Sequence, residues 1–275
     1  MRIGVGYRRE LSAWIESSPP GVDCLEITAE HFYESGETGR EQLGRLRSRF
    51  QLYVHGLGLS LGTPGPLDSQ RLDQFARVTA VADPAWISEH VAFTRTSEGD
   101  LGHLNPVPPT KESLAMLVDH ARELSARCGK PLLLENITSH FRWEGKLTET
   151  TFLNELCARA GCGLLLDVTN LYINSRNHRF DALAWLRELD PRHIGQLHLV
   201  GYSRDGERYF DDHAQPVQEE LLELARAVIA YAPVRAIILE RDEDFPGPEA
   251  MAVEISKLIA LSVLSEKSAQ QHSTS

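Results

Sequence analysis

The chain has 275 residues, of which 42% are hydrophobic and 24% are charged, and its formal net charge is −11 at pH 7. This length and apolar content allow one full hydrophobic core, and single domains of the α/β barrel type commonly have about this size. The acidic balance, without any block of Lys and Arg, argues against a surface that binds duplex DNA.

The N-terminus and the cysteines favour a cytoplasmic protein. Residues 1–6 enter a predicted strand at once, without the charged region and long apolar segment of a signal peptide, and no apolar run of about 18 residues follows. The four cysteines are Cys24, Cys128, Cys157 and Cys162. Because they form no C-x-x-C pair and no regular framework, we expect reduced thiols in an unexported, cytoplasmic protein.

The first half of the chain alternates strand-like and helix-like patterns. Short apolar runs predict strands over 3–7, 22–28, 52–55 and 86–90, and amphipathic patterns predict helices over 10–16 and 38–49 and after Pro66. A Gly- and Pro-rich stretch over 96–109 predicts a loop that is long enough to cover a site. Thr110 then caps a predicted helix, and Gly129 closes it.

The second half repeats the alternation. Strands are predicted over 132–135, 164–167, 196–198 and 237–240, and helices over 148–160, 180–189, 216–231 and 248–264. The polar end of the chain, 265–275, is predicted to be a disordered tail.

Eight strands alternating with helices predict a parallel sheet with right-handed crossovers. Eight such units close naturally into a (β/α)8 TIM barrel, here one catalytic domain over 1–264. The alternative is an open doubly wound sheet. The barrel is favoured because ionisable residues end most of the strands, whereas an open sheet concentrates its site at one switch point.

Six of the predicted strands end in a histidine or an acidic residue. These residues are His55, His90, Glu135, Asp167, His198 and Glu240. Each one alone has an ordinary explanation, as a structural histidine or an acid that caps the next helix. Barrel closure would bring all six into one mouth, where the crowded carboxylates need a cation to offset their repulsion. The sequence therefore predicts a metal site at the C-terminal face of the strands.

Three further candidate ligands follow in the predicted loops after strands six and seven. Asn170 lies three residues beyond Asp167, and Asp211 and His213 would face one ion if their segment is extended. The nine candidates offer nitrogen and oxygen and no sulfur. They are too many for one ion and suit two or three, with Glu135 and Glu240 bridging, and the donor types fit Fe, Mn or Zn.

Several motifs around these residues resemble one known family. They are residues 52–62 (LYVHGLGLSLG), 87–90 (ISEH), 134–136 (LEN), 161–170 (GCGLLLDVTN), 198–202 (HLVGY) and 239–242 (LERD). In order and spacing they resemble the multinuclear non-heme iron-dependent oxidative enzymes, the MNIO family, which includes the oxazolone synthase of the methanobactin pathway. The resemblance runs from about residue 3 to residue 248. More distantly, the ligand order is similar to endonuclease IV and other xylose-isomerase-like TIM barrels.

The resemblance implies ligands, cofactors and substrate. His55, His90 and Glu135 would hold one iron, Glu135 would bridge to a second iron held by Asp167, His198 and Glu240, and Asn170, Asp211 and His213 would form a third position. Members of the family use O2 at a mixed-valence Fe(II)/Fe(III) pair to oxidise a residue, often a cysteine, of a ribosomally synthesised precursor peptide. By this resemblance Glu135, Glu240 and Asp167 are the catalytic candidates, and the modified residue is expected to be Cys, with Asp or Asn as alternatives.

The resemblance also implies a protein partner. In this family a protein encoded nearby binds the leader of the precursor peptide, so we expect a heterodimer. The partner would dock near the mouth, and the loops over 96–109 and 202–216 would order around the peptide.

Three other functions remain open at this stage. A zinc-dependent phosphodiesterase similar to endonuclease IV would share the ligands, but it would need Arg and Lys around the mouth to bind phosphates. A sugar isomerase with Mn or Mg is another alternative, and a metal-storing scaffold is a third. We expect neither nucleic acid nor membrane as a partner.

Overall fold

Eight parallel strands close into a barrel in the computed structural model, which describes residues 1–143 and 145–272 and side-chain surroundings through residue 262. In chain order the strands are β1 (Arg2–Gly6), β2 (Cys24–Thr28), β3 (Gln51–His55), β4 (Ile87–His90), β5 (Ala92–Thr96), β6 (Gly99–Pro106), β7 (Leu132–Glu135), β8 (Gly163–Asp167), β9 (Ile194–Leu199), β10 (Gly201–Asp205), β11 (Arg208–Gln215) and β12 (Ala236–Leu239). The order around the barrel is β1-β12-β9-β8-β7-β4-β3-β2. The predicted TIM barrel is confirmed.

The helices follow the barrel strands and cover the outside of the barrel. They are α1 (Ser12–Glu16), α2 (Gly36–Arg47), α3 (Ser69–Ala82), α4 (Lys111–Cys128), α5 (Glu149–Ala160), α6 (Val168–Asn177), α7 (Ala182–Glu188), α8 (Glu219–Tyr231) and α9 (Pro248–His272). Among the residues described, no helix combines the length and apolarity needed to cross a membrane. The backbone of α9 extends into the predicted tail as far as His272, and the last three residues of that tail lie outside the described residues.

Helix α4 begins and ends where its sequence signals predict. The Thr110 hydroxyl accepts a hydrogen bond from the Ser113 amide at 3.2 Å, and the Ser113 hydroxyl accepts one from the Thr110 amide at 3.2 Å. This reciprocal capping box satisfies amide groups that have no partner within the helix. At the other end Gly129 takes a left-handed conformation, with φ of 62°, which glycine adopts without steric cost.

Two segments predicted as loops are antiparallel hairpins outside the barrel. Strands β5 and β6 pair over part of the predicted 96–109 loop, and β10 and β11 pair over most of the 202–216 segment. Both hairpins lack the alternation of a half-buried strand, since residues 99–103 and 204–208 are exposed. Their strands were therefore missed, although Gly206 at φ of 58° marks one of the turns.

The interior of the barrel explains why the strand ends point into its mouth. Tyr53, Leu133, Leu165 and Ile238 belong to a small buried cluster that is separate from the larger core between the barrel and its helices. Successive side chains of a strand alternate between the two faces of a sheet, so a residue two positions later points the same way. The residues two positions later are His55, Glu135, Asp167 and Glu240. These four side chains therefore lie directly above the interior cluster.

Candidate metal centre

All six predicted strand-end residues lie buried in the barrel mouth. His55, His90, Glu135 and Asp167 end β3, β4, β7 and β8, His198 lies one residue before the end of β9, and Glu240 follows β12 directly. The six side chains are between 0 and 6% exposed. The structure brings them together as the sequence predicts, and we refer to them as the ligand ring.

The ligand atoms of the ring, together with those of His213 and Asp242, form three groups that share carboxylates. Each group contains atoms that all lie within 4.8 Å of one another. The first group is His55, His90 and Glu135; the central group is Glu135, Asp167, His198 and Glu240; the outer group is His213, Glu240 and Asp242. Glu135 is common to the first and central groups, and Glu240 to the central and outer groups. Each group can hold one metal ion, and the two shared glutamates are placed to bridge neighbouring ions.

The two imidazoles of the first group face Glu135 symmetrically. The Nε2 atoms of His55 and His90 each lie 3.5 Å from Glu135 Oε2. Their other ring nitrogens are held by protein, because His55 Nδ1 contacts Ser88 Oγ at 2.9 Å and His90 Nδ1 contacts Glu89 Oε1 at 3.2 Å. A partner on Nδ1 fixes the ring orientation and leaves Nε2 available as a metal ligand.

His198 lies at the centre of the ring and uses the opposite nitrogen. Its Nδ1 is 2.8 Å from Glu240 Oε2 and 3.1 Å from Glu135 Oε1. Its Nε2 lies 2.6 Å from Oε1 of Glu26, a buried residue of β2. Glu26 is therefore placed to accept a hydrogen bond from Nε2, which would leave Nδ1 free to bind an ion held between the carboxylates of Glu135 and Glu240.

The ligand ring contains polar atoms that no protein group satisfies. Among the described residues, His55 Nε2, Glu135 Oε2 and Asp167 Oδ2 are buried without a hydrogen-bond partner. An unsatisfied buried donor or acceptor costs about 1–3 kcal/mol, so three of them in one site require an explanation. His55 belongs to the first group, Asp167 to the central group and Glu135 to both. Metal ions bound in these groups would satisfy them, so the residues present fit a metal centre.

The electrostatics of the ring also favour cations. Burial, and then the neighbouring carboxylates of Asp211 and Glu135, hold the pKa of Asp167 well above its ordinary value. Burial likewise raises the pKa of Glu135. Burial alone would lower the pKa of His90, but the charges of Glu135 and Glu89 outweigh it and raise that pKa to about 9. Divalent or trivalent ions would offset the same negative charge without protonating the ligands.

A hydrogen-bonded chain beneath the ring positions His198. Glu26 Oε2 accepts from Gln196 Nε2 at 2.5 Å, and Gln196 Oε1 accepts from the indole of Trp86 at 2.5 Å. All three residues are buried. Sequence reasoning missed this role, because the hydrogen bonds join residues of β2 and β9 to Trp86, directly before β4, and these segments are distant in sequence. The available signal was Gln196 two residues before His198, on the same face of its strand.

We expect Glu26→Gln to lower metal affinity at the central group by about 10–100-fold, the usual effect of removing a carboxylate that supports a ligating histidine. The substitution keeps the side-chain volume but removes the charge that holds the proton on His198 Nε2. Metal affinity is measured by competition with a chromogenic chelator. Glu41→Gln, an exposed glutamate on α2, is the control. Unchanged affinity in Glu26→Gln would show that Glu26 does not orient His198.

The outer group differs from the predicted third position. His213 Nδ1 lies 2.9 Å from Asp242 Oδ2 and 3.9 Å from Glu240 Oε2. Asp211 Oδ1 lies 3.0 Å from the other nitrogen of His213. Asp242, which the sequence did not single out as a ligand, also forms an ion pair with Arg8 at 2.5 Å. The structure thus places Asp242 in the group and Asp211 beside it.

Asn170 lies near the ring but its amide is occupied. Its Oδ1 accepts from the Thr138 hydroxyl, and its Nδ2 donates to the Asn136 carbonyl at 3.2 Å. The expectation that 167–170 form a loop is wrong, since α6 begins at Val168 and Asp167 Oδ1 caps it by accepting from the Asn170 amide at 2.6 Å. Capping occupies one oxygen of Asp167 and leaves Oδ2 for a metal. Asn170 and Asp211 as ligands stay predictions.

A cleft of about 600 Å³ leads from solvent to the ring. Its walls include Asn170 and, from the metal groups, His90, Glu135, His213 and Glu240. Leu57, Leu104, Ile137 and Phe210 supply apolar surface. We refer to it as the metal cleft. It is large enough to admit one or two side chains of a substrate to the buried ligands.

The chain matches a family model described as RiPP precursor modification enzyme MbnB/TglH/ChrH over residues 2–262. RiPPs are ribosomally synthesised and post-translationally modified peptides. Curated relatives include a UPF0276 protein of Bordetella parapertussis, 36% identical over 94% of this chain and 92% of the relative. Another is a UPF0276 protein of Caulobacter vibrioides, 33% identical over 92% of this chain and 91% of the relative.

Solved structures share the barrel at low sequence identity. A xylose isomerase domain protein from Alicyclobacillus acidocaldarius is similar with a TM-score of 0.64 and 13% identity, covering 96% of this chain and 99% of that one. Endonuclease IV from Thermus thermophilus is similar with a TM-score of 0.62 and 18% identity, covering 97% and 100%. At these identities the likeness supports the fold alone.

Proposed function

Because the chain belongs to the family of RiPP precursor modification enzymes MbnB/TglH/ChrH, we propose that it is a multinuclear iron-dependent oxidase. It would use O2 to modify one residue of a ribosomally synthesised precursor peptide. The observation that carries this proposal is the set of adjoining ligand groups that share Glu135 and Glu240 at the floor of an open cleft. We assign the activity to a single catalytic domain over 1–264.

The ligand types suit iron as well as manganese and zinc, and the proposed oxidation with O2 is what selects iron among them. The three groups contain only imidazole and carboxylate, the donors that Fe, Mn and Zn share. Iron bound there would supply one-electron chemistry toward O2 that zinc cannot provide. We propose two or three iron ions, as a mixed-valence Fe(II)/Fe(III) set.

The residues of the chain would hold and orient the reactants. Glu135, Asp167 and Glu240 carry the negative charge that keeps adjacent ions together, and Glu26, Ser88 and Glu89 fix the imidazole rings. Leu57, Ile137 and Phe210 limit water at the cleft wall. One O2 takes four electrons and four protons to give two waters. Electrons that the peptide residue does not donate must come from an added reductant.

The modified residue is proposed to be cysteine, with aspartate or asparagine as alternatives. A cysteine thiolate binds iron readily, and coordination would deprotonate the thiol and hold its β-carbon close to the metal groups. A carboxylate or amide side chain offers a weaker ligand to the same position. The acidic wall of the metal cleft, which includes Glu30, Asp100 and Asp242, adds repulsion for a carboxylate.

We also propose a partner protein that binds the leader of the peptide. A single reacting side chain offers too little surface for selection, so binding energy must come from elsewhere on the peptide. Exposed apolar side chains around the mouth support docking there: Leu57, Leu101, Phe141 and Trp143 are 39, 39, 45 and 44% exposed. Such residues are typical of surfaces covered by a partner.

Metal analysis of protein purified without oxygen tests the oxidase. We expect more than one equivalent of iron and a Mössbauer spectrum of coupled iron. Candidate precursor peptides from neighbouring genes are then incubated with this protein, iron, reductant and O2, with and without the neighbouring gene product. Mass spectrometry should show oxidation of one peptide residue that requires both proteins. Zinc as the only metal that supports activity, with phosphodiester cleavage and no peptide oxidation, would refute the proposal.

A further inference from the structure

A second cleft, beside the metal cleft, is lined by four arginines. We propose that it binds a carboxylate-rich segment of the peptide substrate, an inference that rests on the proposed function. The arginines are Arg176 and Arg179 from α6 and the residues after it, and Arg204 and Arg208 from the β10–β11 hairpin. The cleft has a volume of about 490 Å³. We refer to it as the arginine cleft.

The charge of this cleft opposes the charge of the chain. The whole chain carries −11, yet the arginine cleft has four arginines against the single carboxylate of Glu207. Within the part of the chain that the structure describes, no salt bridge of 4.0 Å or less involves any of these arginines. Four arginines that form no such salt bridge among the described residues, on a strongly acidic protein, form a local site for an anion.

Aromatic packing holds two of the guanidinium groups in place. Arg176 lies over the ring of Tyr172 at 4.8 Å, and Arg204 over the ring of Tyr209 at 5.3 Å. Tyr172 and Tyr209 both pack against Tyr202, with ring centroids 5.2 Å apart in each pair. A guanidinium that is already oriented loses less entropy when it binds, and its planar donors match a carboxylate with two parallel hydrogen bonds.

The hairpin that carries Arg204 and Arg208 is fixed to α6. The side chain of Asn177 accepts from the Tyr209 amide at 3.0 Å and donates to the Tyr209 carbonyl at 2.9 Å. This pair of bonds joins the two halves of the arginine cleft. The cleft is therefore a built feature of the fold rather than a chance meeting of two surface segments.

The arginine cleft continues into the metal cleft. His140 and Phe210 line both cavities, with ring centroids 6.3 Å apart. A peptide chain that presents one side chain to the ligand ring would pass this boundary within a few residues. Acidic side chains near the modified residue would then meet the arginines, which would set the position of the reacting residue along the peptide.

The two clefts together favour a peptide over a nucleic acid. Glu30, Asp100, Asp211 and Asp242 line the metal cleft, and they would repel a backbone that carries a phosphate at every step. A peptide, in contrast, can carry carboxylates at the positions that face the arginines and uncharged side chains at the positions that face the acidic wall. The same geometry gives selectivity, since acidic residues in the wrong register would meet the acidic wall.

Fluorescence anisotropy tests the site with a defined probe. The probe is a labelled peptide with a run of Asp and Glu beside one cysteine, and its comparison peptide has Asn and Gln at those positions. We expect the wild-type protein to bind the acidic peptide more tightly, and Arg179→Gln/Arg208→Gln to weaken that binding by on the order of tenfold. These two arginines were chosen because no aromatic stacking involves them among the described residues.

The matched control is Arg45→Gln/Arg77→Gln. It removes two exposed arginines from α2 and α3, neither of which lines the arginine cleft. Both double variants therefore change the net charge of the protein by the same amount. Equal losses in both double variants, or equal binding of the acidic and the amide peptides, would overturn the proposal. So would tighter binding of a single-stranded oligonucleotide of the same charge. Because binding is measured without turnover, a protein that binds the acidic peptide through these arginines but oxidises no peptide would refute the oxidase and leave the cleft assignment standing.

Discussion

Replacing Glu135 with Gln is expected to remove more than one equivalent of metal and to abolish turnover. Glu135 Oε2 faces His55 and His90 of the first group, and its Oε1 faces His198 of the central group. An amide keeps the volume of the side chain but cannot bridge two cations, since it has one oxygen and no charge. Metal is counted by elemental analysis and turnover by mass spectrometry of the peptide.

The matched comparison is His213→Ala. His213 belongs only to the outer group, so this variant should lose at most the metal of that group and keep those of the other two. Glu240→Gln should resemble Glu135→Gln, because Glu240 joins the central and outer groups. Equal losses of one metal at all three positions would show that neither glutamate bridges.

Chelation of the metal is expected to lower the melting temperature of the wild-type protein by about 10 °C. A ligand present at about a thousandfold its dissociation constant stabilises a fold by about 4 kcal/mol, and each kcal/mol shifts the melting temperature of a domain of this size by about 2–4 °C. The ring joins the ends of six of the eight barrel strands. Loss of the metal therefore removes links between strand ends around most of the barrel mouth. Differential scanning calorimetry measures the change in melting temperature.

The variant Glu135→Gln supplies the control for chelation. Its melting temperature should change little when chelator is added, because its first and central groups are already depleted of metal. Without metal it should melt above the metal-free wild type, because burial raises the pKa of Glu135 and so disfavours its carboxylate in the folded protein, whereas the amide carries no charge to bury. Identical melting of loaded and chelated wild type would contradict a metal centre that joins the strands.

The barrel and its ligand ring were predictable because both depend on local patterns. Each strand is a short apolar run with a polar residue at its end, and parallel strands place those ends at one face. The alternation of side chains along a strand then aims Glu135 and Asp167 inward above Leu133 and Leu165. Nothing beyond the order of strands is needed to bring these residues together.

The parts that sequence reasoning missed depend on contacts between distant segments. Asp242 joins His213 only because β11 folds back over the mouth, and Glu26 reaches His198 only across the barrel interior. Helix α6 was missed because Val168–Asn177 follows Asp167 without a break, and its residues read as a loop of polar ligands. The arginine cleft was hidden in the same way, since two pairs of arginines from separate segments never form a basic run in the sequence.

The position of the two hairpins has a consequence for how such enzymes diverge. Hairpins β5–β6 and β10–β11 follow β4 and β9, and both stand outside the hydrogen-bond ladder that closes the barrel. Insertions, deletions and new charges can accumulate at the tips of these hairpins, away from His213 on β11, without moving β4 or β9, so the candidate ligands His90 and His198 keep their register. The part of the candidate metal site that lies on the barrel strands can therefore stay unchanged while the hairpin tips at the rim of the cleft vary.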